Sequence, residues 1–278
     1  MERFAYEVID AQAHIGRFPG HVQLHYSAEE LVGCMEREGV AFALTSSASA
    51  TTVGQAYGNR EMRQAVDRFP DRLGMLIWIN PIDPDWEADA AAHAEQGALG
   101  IKLHPVLDTY AVDPDALAPL FAFARRHSLP IVTHAESPPG LETAGPASAE
   151  RYAPLATAFD DVPLVLYHVN AGRPIPGILM AKRFPNVYVD TCFVPREAIE
   201  LGLDTIGPSR ILFGTDAPLF FDVGRAVPGT AGRPTRSFRA CARDVEELCA
   251  STADRDLVMA GNARRLFRLP VREPAWTS

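Results

Sequence analysis

Polar side chains that can bind a metal or move a proton recur at the ends of short apolar segments in this chain. They are Gln12 and His14, Lys102 and His104, His134 and Glu136, His168 and Asn170, Asp190 and Asp216. Imidazole and carboxylate groups are the protein ligands that divalent zinc, manganese or iron accept. Three such ligands with an open position leave room for a water whose pKa falls towards 7. The pattern therefore indicates a pocket derived from a metal site.

The apolar segments that carry these residues are predicted to be eight β-strands, because each is short, apolar or β-branched, and bounded by Gly, Pro, Asn or Asp. The predicted strands span residues 7–14, 41–47, 73–80, 99–104, 130–136, 163–170, 186–193 and 210–218. Between and after them lie stretches with helical periodicity. These span residues 59–69, 86–96, 116–127, 149–159, 175–184, 196–206, 235–250 and 253–267, and a further helix follows the first strand.

Two of the predicted helices carry explicit start signals. Ser27-Ala-Glu-Glu30 is a capping box, in which a hydroxyl and a carboxylate satisfy free amides at a helix N-terminus, and Gly39 is a C-terminal stop. Asp113-Pro114 places a capping carboxylate before a proline at the first helical position. The order is thus strand and helix repeated eight times, with one extra helix at the end.

Strands and helices that alternate at about 25 to 35 residues per unit predict a parallel sheet with right-handed crossovers. Eight units suit a closed (β/α)8 TIM barrel with an extra C-terminal helix, and we expect residues 1–278 to form a single domain of this kind. A Rossmann sheet would need a glycine-rich turn after its first strand. The turn here, His14-Ile-Gly-Arg-Phe-Pro-Gly20, has no GxGxxG pattern.

In such a barrel the carboxyl ends of all strands open on one mouth, where catalytic groups gather. Residues two apart on a strand share a face, so Gln12 with His14 and Lys102 with His104 are predicted to point into the barrel. Two segments rich in Pro and Gly, residues 137–148 and 221–234, follow the fifth and eighth predicted strands and are expected to lie over this mouth.

Composition narrows the class of partner. The chain has 278 residues, 47% hydrophobic and 22% charged, with a net charge of −9 and no basic and aromatic cluster, which argues against a nucleic-acid partner. No apolar run approaches the roughly 18 to 20 residues of a membrane span, and residues 1–10 lack a signal-peptide core. The four cysteines form no CxxC pair. We expect a soluble, cytoplasmic protein that acts on a small molecule.

Seven segments, in the same order along the chain, match a known family. They are Val8-Ile-Asp-Ala-Gln-Ala-His14, Gly100-Ile-Lys-Leu-His-Pro105, Ile131-Val-Thr-His134, Tyr167-His168, Val187-Tyr-Val-Asp-Thr191, Ile211-Leu-Phe-Gly-Thr-Asp216 and Gly261-Asn-Ala-Arg-Arg-Leu-Phe267. With them the chain resembles the amidohydrolase superfamily. The likeness is to its amidohydrolase-related branch, which includes aminocarboxymuconate-semialdehyde decarboxylase, resorcylate-type decarboxylases and lactone hydrolases.

The resemblance implies a role for each matching residue. The family's first-strand HxH pair falls on Gln12 and His14, its fifth-strand ligand on His134, and its eighth-strand ligand and proton acceptor on Asp216. His168 matches the sixth-strand histidine that contacts substrate in relatives. Gln12 departs from the pattern, because a neutral amide oxygen is a poor ligand for zinc or manganese.

Two interpretations of this departure remain open at the level of sequence. In the first, His14, His134 and Asp216 hold one divalent metal, zinc before manganese, with Gln12 as a weak fourth ligand. In the second, the pocket works without metal, with Asp216 as base and the histidines as donors. Gln12 thus leaves the occupancy of the metal site open.

Further residues are expected to bind substrate. They are Lys102, His104, Trp78, Asn170 and Arg225. Only Lys102 and Lys182 among the 26 basic residues are lysine, and a lysine pKa can be tuned by burial whereas a guanidinium cannot. The alternative for Lys102 is a structural salt bridge with Asp190 or Glu136, and for His104 a hydrogen bond that supports a ligand.

Three functions follow from this site. The first is hydrolysis of a small cyclic ester, amide or related C–O or C–N bond, with a metal-activated water, Asp216 as base and His168 polarising the carbonyl. The alternatives are non-oxidative decarboxylation of an unsaturated or aromatic acid, and a metal-free barrel that binds a small molecule without catalysis. Relatives commonly pair, so the resemblance also allows a homodimer.

Overall fold

The computed structural model describes residues 4–18, 25–135, 145–169, 173–218 and 237–270. Its strands are β1 (Ile9–Arg17), β2 (His25–Tyr26), β3 (Phe42–Ser47), β4 (Leu73–Trp78), β5 (Gly100–Leu103), β6 (Ile131–His134), β7 (Leu164–Tyr167), β8 (Val187–Asp190) and β9 (Ile211–Leu212). Its α-helices are α1 (Ala28–Glu38), α2 (Ser49–Thr52), α3 (Gln55–Arg68), α4 (Trp86–Glu95), α5 (Pro114–His127), α6 (Ala153–Ala158), α7 (Pro174–Arg183), α8 (Arg196–Ile206), α9 (Phe238–Leu248), α10 (Thr252–Asp256) and α11 (Asn262–Leu266).

The strands form one sheet in the order β2-β1-β3-β4-β5-β6-β7-β8-β9. Neighbours from β1 through β9 run parallel, and the short β2 lies antiparallel to β1 at its outer end. The sheet closes on itself just after β9. There Ala13 and Ala217 form a parallel bridge, the Asp216 amide donates to the Gln12 carbonyl at 2.8 Å, and the His14 amide donates to the Ala217 carbonyl at 2.7 Å. The expected (β/α)8 barrel is confirmed.

Each strand is covered on both faces, and alternate residues of the strands fill the barrel interior. Ile9, Ala11, Leu44, Leu76, Val132, Val165 and Leu212 form this inner cluster with Leu266 and Phe267. A side-chain carbon at Gly100, the first residue of β5, would lie 3.1 Å from the Phe267 ring. The end of α11 therefore closes the amino end of the barrel, and the carboxyl end is left for the site.

The predicted helix signals operate as expected. The Ser27 hydroxyl accepts from the Glu30 amide at 3.2 Å, the Glu30 carboxylate accepts from the Ser27 amide at 2.8 Å, and Gly39 ends α1 with φ 81°. Asp113 caps α5 by accepting from the amides of Asp115 and Ala116, with Pro114 at the first helical position. Both caps satisfy amides that would otherwise lack a partner.

Some elements differ from the sequence prediction. α3 begins at Gln55, four residues before the predicted start at Asn59, and the separate α2 was not predicted. Gly54 has φ 146° and divides the two helices, a conformation that only glycine adopts readily. The predicted helix at 253–267 is interrupted by a π-helical turn at Leu257–Gly261. The helix predicted at 149–159 starts with a 3-10 turn at Ala149–Tyr152.

Among the described helices, none is both long enough and apolar enough to cross a lipid bilayer.

Candidate active site at the carboxyl end of the barrel

The polar residues that end the strands do converge at one mouth of the barrel. Gln12 and His14 lie on β1, Lys102 on β5, His134 at the end of β6 and Asp190 at the end of β8. His104 and His168 follow directly after β5 and β7, and Asp216 lies four residues after the end of β9. All of these side chains are buried. The structure therefore places in one cluster the candidates that the sequence predicted, apart from those outside the described residues.

The first strand carries an irregularity that aims Gln12. Relative to β3, β1 contains one extra residue between Asp10 and Ala13. Such bulges bend a strand and redirect a side chain, and they are common beside active sites. One oxygen of the Asp10 carboxylate accepts from the backbone amide of Gln12 at 3.0 Å, and the other accepts from the Thr215 hydroxyl at 2.5 Å. Asp10 thus ties the bulged strand to the segment after β9.

Asp10 is a site residue that the sequence reasoning missed. It is fully buried, and burial raises the pKa of its carboxyl to about 7 against the hydrogen bonds from Thr215 and Gln12. The signal available was an acidic residue within the predicted first strand, two residues before Gln12. The bulge between Asp10 and Ala13 breaks the two-residue alternation of β1, so the sequence alone could not give the face on which Asp10 lies.

Asp216 is the centre of the cluster. Its Oδ1 accepts a hydrogen bond from Gln12 Nε2 at 2.9 Å and lies 3.0 Å from His14 Nε2. Since a carboxylate at Asp216 only accepts, His14 Nε2 carries the hydrogen, and its Nδ1 lies 3.0 Å from the Ser46 hydroxyl. Burial opposes ionisation of Asp216, but the hydrogen bond from His14, together with the electrostatic interactions of His14, His168 and Lys102, outweighs it and holds the pKa of Asp216 below its usual value. Asp216 is therefore an anion at neutral pH.

His168 is fixed in one tautomer. Its Nδ1 lies 3.1 Å from the Cys192 carbonyl, which accepts but cannot donate, so Nδ1 carries the hydrogen. Its backbone amide donates to Asp190 Oδ1 at 2.7 Å, and its backbone has φ 59°. Burial lowers the pKa of His168 to about 4 against the opposing charge of Asp216. His168 is therefore neutral near pH 7, with its Nε2 lone pair turned into the site.

Three rings form a column along one wall. The indole of Trp78 stacks on His104 with ring centroids 5.7 Å apart, and His104 stacks on His134 at 3.6 Å, with the planes 19° and 20° from parallel. Burial, reinforced by the charge of Lys102, lowers the pKa of both His104 and His134 well below its usual value. Uncharged imidazoles can stack face to face, and this explains how the two lie so close.

His104 and Trp78 are oriented by their own partners. His104 Nδ1 accepts from the Leu107 amide at 3.3 Å, and Trp78 Nε1 donates to Asp108 Oδ2 at 2.8 Å. The indole N–H of Trp78 is therefore used within the protein. Trp78 offers a flat surface to the site rather than a donor.

Lys102 lies beneath this wall and is fully buried. Its Nζ lies 4.2 Å from the centroid of the Tyr167 ring and 5.9 Å from that of Trp78. Burial raises the pKa of Asp190 well above its usual value, and the charge of Lys102 opposes that rise. The amino group of Lys102 is thus held close under the site, against aromatic faces.

The donor set fits one divalent metal. Ligand atoms of His14, His134 and Asp216 all lie within 4.8 Å of one another, and two imidazoles with one carboxylate suit zinc or manganese. Ligand atoms of His168, Cys192 and Asp216 likewise lie within 4.8 Å of one another. Gln12 presents its amide nitrogen to Asp216, and its predicted role as a weak fourth ligand stays a prediction. Binding at His14 would displace the hydrogen on Nε2, as metal uptake by histidine sites commonly does.

Two predicted substrate-binding residues, Asn170 and Arg225, and the predicted salt-bridge partner Glu136 lie outside the described residues.

Comparison with known proteins places this geometry in context. The family model for amidohydrolases matches residues 9–269. Among solved structures, 5-carboxyvanillate decarboxylase from Sphingomonas paucimobilis is 17% identical with a TM-score of 0.66, over 96% of this chain and 100% of that chain. The 2,6-dihydroxybenzoate decarboxylase from Rhizobium is 16% identical with a TM-score of 0.67, over 95% of this chain and 99% of that chain.

A third similar structure contains a metal. It is 5-carboxyvanillate decarboxylase from Novosphingobium aromaticivorans, complexed with manganese and 4-hydroxy-3-methoxy-5-nitrobenzoic acid. It is 15% identical with a TM-score of 0.69, over 95% of this chain and 97% of that chain. A search of curated proteins found no match. The family model covers nearly the whole barrel, and the chain belongs to the amidohydrolase family.

Proposed function

We propose that this chain is a metal-dependent decarboxylase that removes CO2, without oxidation, from a small aromatic or unsaturated carboxylic acid. Hydrolysis, which the sequence favoured, becomes the second candidate. The proposal depends on the surfaces that surround Asp216 and on the nature of the similar enzymes.

The observation that carries the proposal is the aromatic lining around the polar cluster. The Phe18 ring stands edge-on to His14 with centroids 6.2 Å apart, Trp78 lies 6.4 Å from His14, and Phe193 lies 5.7 Å from His168. Flat apolar walls with a few convergent polar groups suit a planar, conjugated ligand. Such a ligand matches an aromatic or unsaturated acid better than a saturated ring.

A buried amino group supports an anionic substrate. Lys102 Nζ lies within a few ångströms of the aromatic wall, and in its protonated form it would lower the cost of bringing a carboxylate into this buried site. When CO2 leaves, the negative charge passes to carbon and is then neutralised by a proton. Apolar walls favour this loss of charge from the carboxyl group.

The similar structures agree with this assignment. Those from Sphingomonas paucimobilis and Rhizobium are decarboxylases of substituted benzoates. The Novosphingobium aromaticivorans decarboxylase binds manganese together with a nitrobenzoic acid. All share the barrel of this chain over nearly its full length, so the same chemistry is a natural candidate here.

His14, His134 and Asp216 would hold the metal. When bound, a divalent cation would supply Lewis-acid polarisation of the substrate oxygens.

Within the protein, Asp216 is the group that moves the proton. The bond between the substrate carbon and its carboxyl group breaks, the electron pair stays on that carbon, and a proton takes the place of CO2. Asp216, anionic at neutral pH, takes up a proton from a substrate hydroxyl or from water and passes it to the carbon, and a proton from solvent then restores the hydroxyl or the water. Neutral His168 lines the same space and accepts a hydrogen bond without supplying a competing acid.

The anionic Asp216 also supports hydrolysis. An anionic carboxylate beside two histidines that could bind a metal with it is also what a general base needs in order to deprotonate a water. The two functions use the same residues and differ in the product.

In the decisive experiment, the purified protein is incubated with a panel of hydroxybenzoates, unsaturated acids and small lactones. Each reaction is run with Mn²⁺ or Zn²⁺ and again with chelator. We expect CO2 in amounts equal to the acid consumed. Asp216→Asn should abolish this release, and Asp204→Asn, the same change on the exposed side of α8, should not. A new carboxylate from a lactone without CO2 would establish hydrolysis instead. Tight retention of a panel member without conversion would indicate a binding protein.

A further inference from the structure

Gln12 stands where the family has a metal ligand, yet its contacts are those of a hydrogen-bond donor. Its Nε2 lies 2.9 Å from Asp216 Oδ1 and 3.2 Å from His168 Nε2. Its Oε1 is buried and accepts no hydrogen bond from the residues that the structure describes. An amide nitrogen has two hydrogens and no lone pair available to a cation.

The orientation of this amide is determined by chemistry. An ionised Asp216 only accepts, so an amide oxygen 2.9 Å from it would be repelled, and the nitrogen must face it. The same nitrogen then faces His168 Nε2. That ring atom must accept, because His168 Nδ1 already carries the hydrogen that goes to the Cys192 carbonyl.

We propose that Gln12 is a positioning residue that links Asp216 to His168 by donating one N–H to each, and that it holds His168 in the tautomer with a bare Nε2. The link joins the segments after β7 and β9 to the bulge of β1. It also places a donor between the charged acceptor Asp216 and the neutral acceptor His168, which offsets the repulsion between their lone pairs.

One consequence concerns the metal site. While Gln12 makes both bonds, its amide nitrogen cannot join the set of His14, His134 and Asp216, so this set offers a cation three side chains. Gln12 therefore acts on Asp216 from outside the ligand set, as outer partners of metal ligands generally do.

The test observes the histidine tautomers and needs no substrate, so its outcome is independent of the proposed function. The protein contains eight histidines, which would be labelled with nitrogen-15, and His168→Gln would identify the signals of His168. Spectra would be recorded in chelator at neutral pH. We expect His168 to show a hydrogen on Nδ1 and a hydrogen-bonded, unprotonated Nε2.

Two substitutions at Gln12 separate donation from mere packing. Gln12→Met removes both donors, and the Nε2 signal of His168 should move to the position of an imidazole nitrogen without a hydrogen-bond partner. Gln12→Glu keeps the shape and puts acceptors against Asp216 and His168, so Nε2 should become protonated. Gln96→Glu, which adds the same charge at an exposed position, should leave the spectrum unchanged.

A wild-type spectrum with the hydrogen on Nε2 and none on Nδ1 would overturn the proposal, and it does not depend on any variant folding. So would a Gln12→Met spectrum, from protein with native circular dichroism, in which the His168 signals do not move.

Discussion

His14 and Asp216 lie 3.0 Å apart, Nε2 to Oδ1, and both side chains are more than nine-tenths buried. In a buried site, removal of one partner leaves the other without compensation. We expect His14→Ala and Asp216→Asn each to lower the free energy of unfolding, and the double variant to lose less than the sum. The coupling should be on the order of 1 to 3 kcal/mol by urea unfolding in chelator. Additive losses would show that the two side chains do not interact.

Substitution of Gln12 tests whether a fourth ligand strengthens metal binding by His14, His134 and Asp216. Gln12→His replaces a donor with an imidazole on the strand that carries His14, and it would add a fourth ligand to His14, His134 and Asp216. We expect the affinity for Mn²⁺ to rise about tenfold or more, which corresponds to about 1.4 kcal/mol. Competition with a chromogenic chelator measures it.

The control for this variant is Gln96→His, which places a histidine at an exposed position. Affinity that rises equally in both variants would indicate adventitious binding. Unchanged affinity in Gln12→His, with native secondary structure, would contradict the assignment of the cation to these three ligands.

Sequence reasoning located the site because of one regularity. Parallel strands bring their carboxyl ends to one mouth, so the positions of His14, His134 and Asp216 at strand ends were enough to predict that they meet. The order of elements predicted the barrel for the same reason. That residues 1–278 form a single domain stays a prediction.

The role of Gln12 could not be predicted in the same way. Its partners His168 and Asp216 are 156 and 204 residues away, and which end of an amide faces them depends on the charge and tautomer of each. The stack of His104 on His134 was missed for a related reason, because the sequence suggested a hydrogen bond whereas burial had removed the charge from both rings. The π-helical turn at Leu257–Gly261 likewise depends on packing rather than on local sequence.

The raised pKa of Asp108, which is not one of the proposed metal ligands, predicts that the stability of the protein depends on pH. Burial raises its pKa from 3.8 to about 6, against the hydrogen bond from Trp78. Because the folded state binds this proton more tightly than the unfolded state, the stabilising contribution is complete below about pH 4 and is lost as the pH rises through about 6.

Asp108→Asn keeps an acceptor for Trp78 Nε1 but cannot ionise. We therefore expect the variant to gain stability over the wild type on going from about pH 4 to about pH 8, by on the order of 1 to 3 kcal/mol. Urea unfolding at both pH values measures the difference. Asp115→Asn, on the exposed first turn of α5, is the control and should show no comparable change between them. A constant difference between wild type and Asp108→Asn would contradict the raised pKa.

Substitution of Lys102 separates the role of this residue in binding from its role in folding. Lys102→Met keeps the length and apolar stem, and loss of a buried charge into well-packed surroundings is often neutral or stabilising. We expect the thermal unfolding temperature to stay the same or rise, while KM for the acid identified in the substrate panel rises about tenfold or more and kcat changes less. The reason is that Lys102 would stabilise the carboxylate of the bound substrate, whose charge is lost from the carboxyl group in the chemical step, so its removal weakens binding more than the chemical step.

The chain supplies a matched control for this variant in its only other lysine. Lys182, in the last turn of α7, is exposed, and Lys182→Met removes the same charge at the surface. It should leave KM unchanged. An equal effect of the two substitutions would assign the change to net charge rather than to the site. Unfolding of Lys102→Met with no change in the KM of the remaining folded protein would make Lys102 structural, as the alternative of a buried salt bridge predicts.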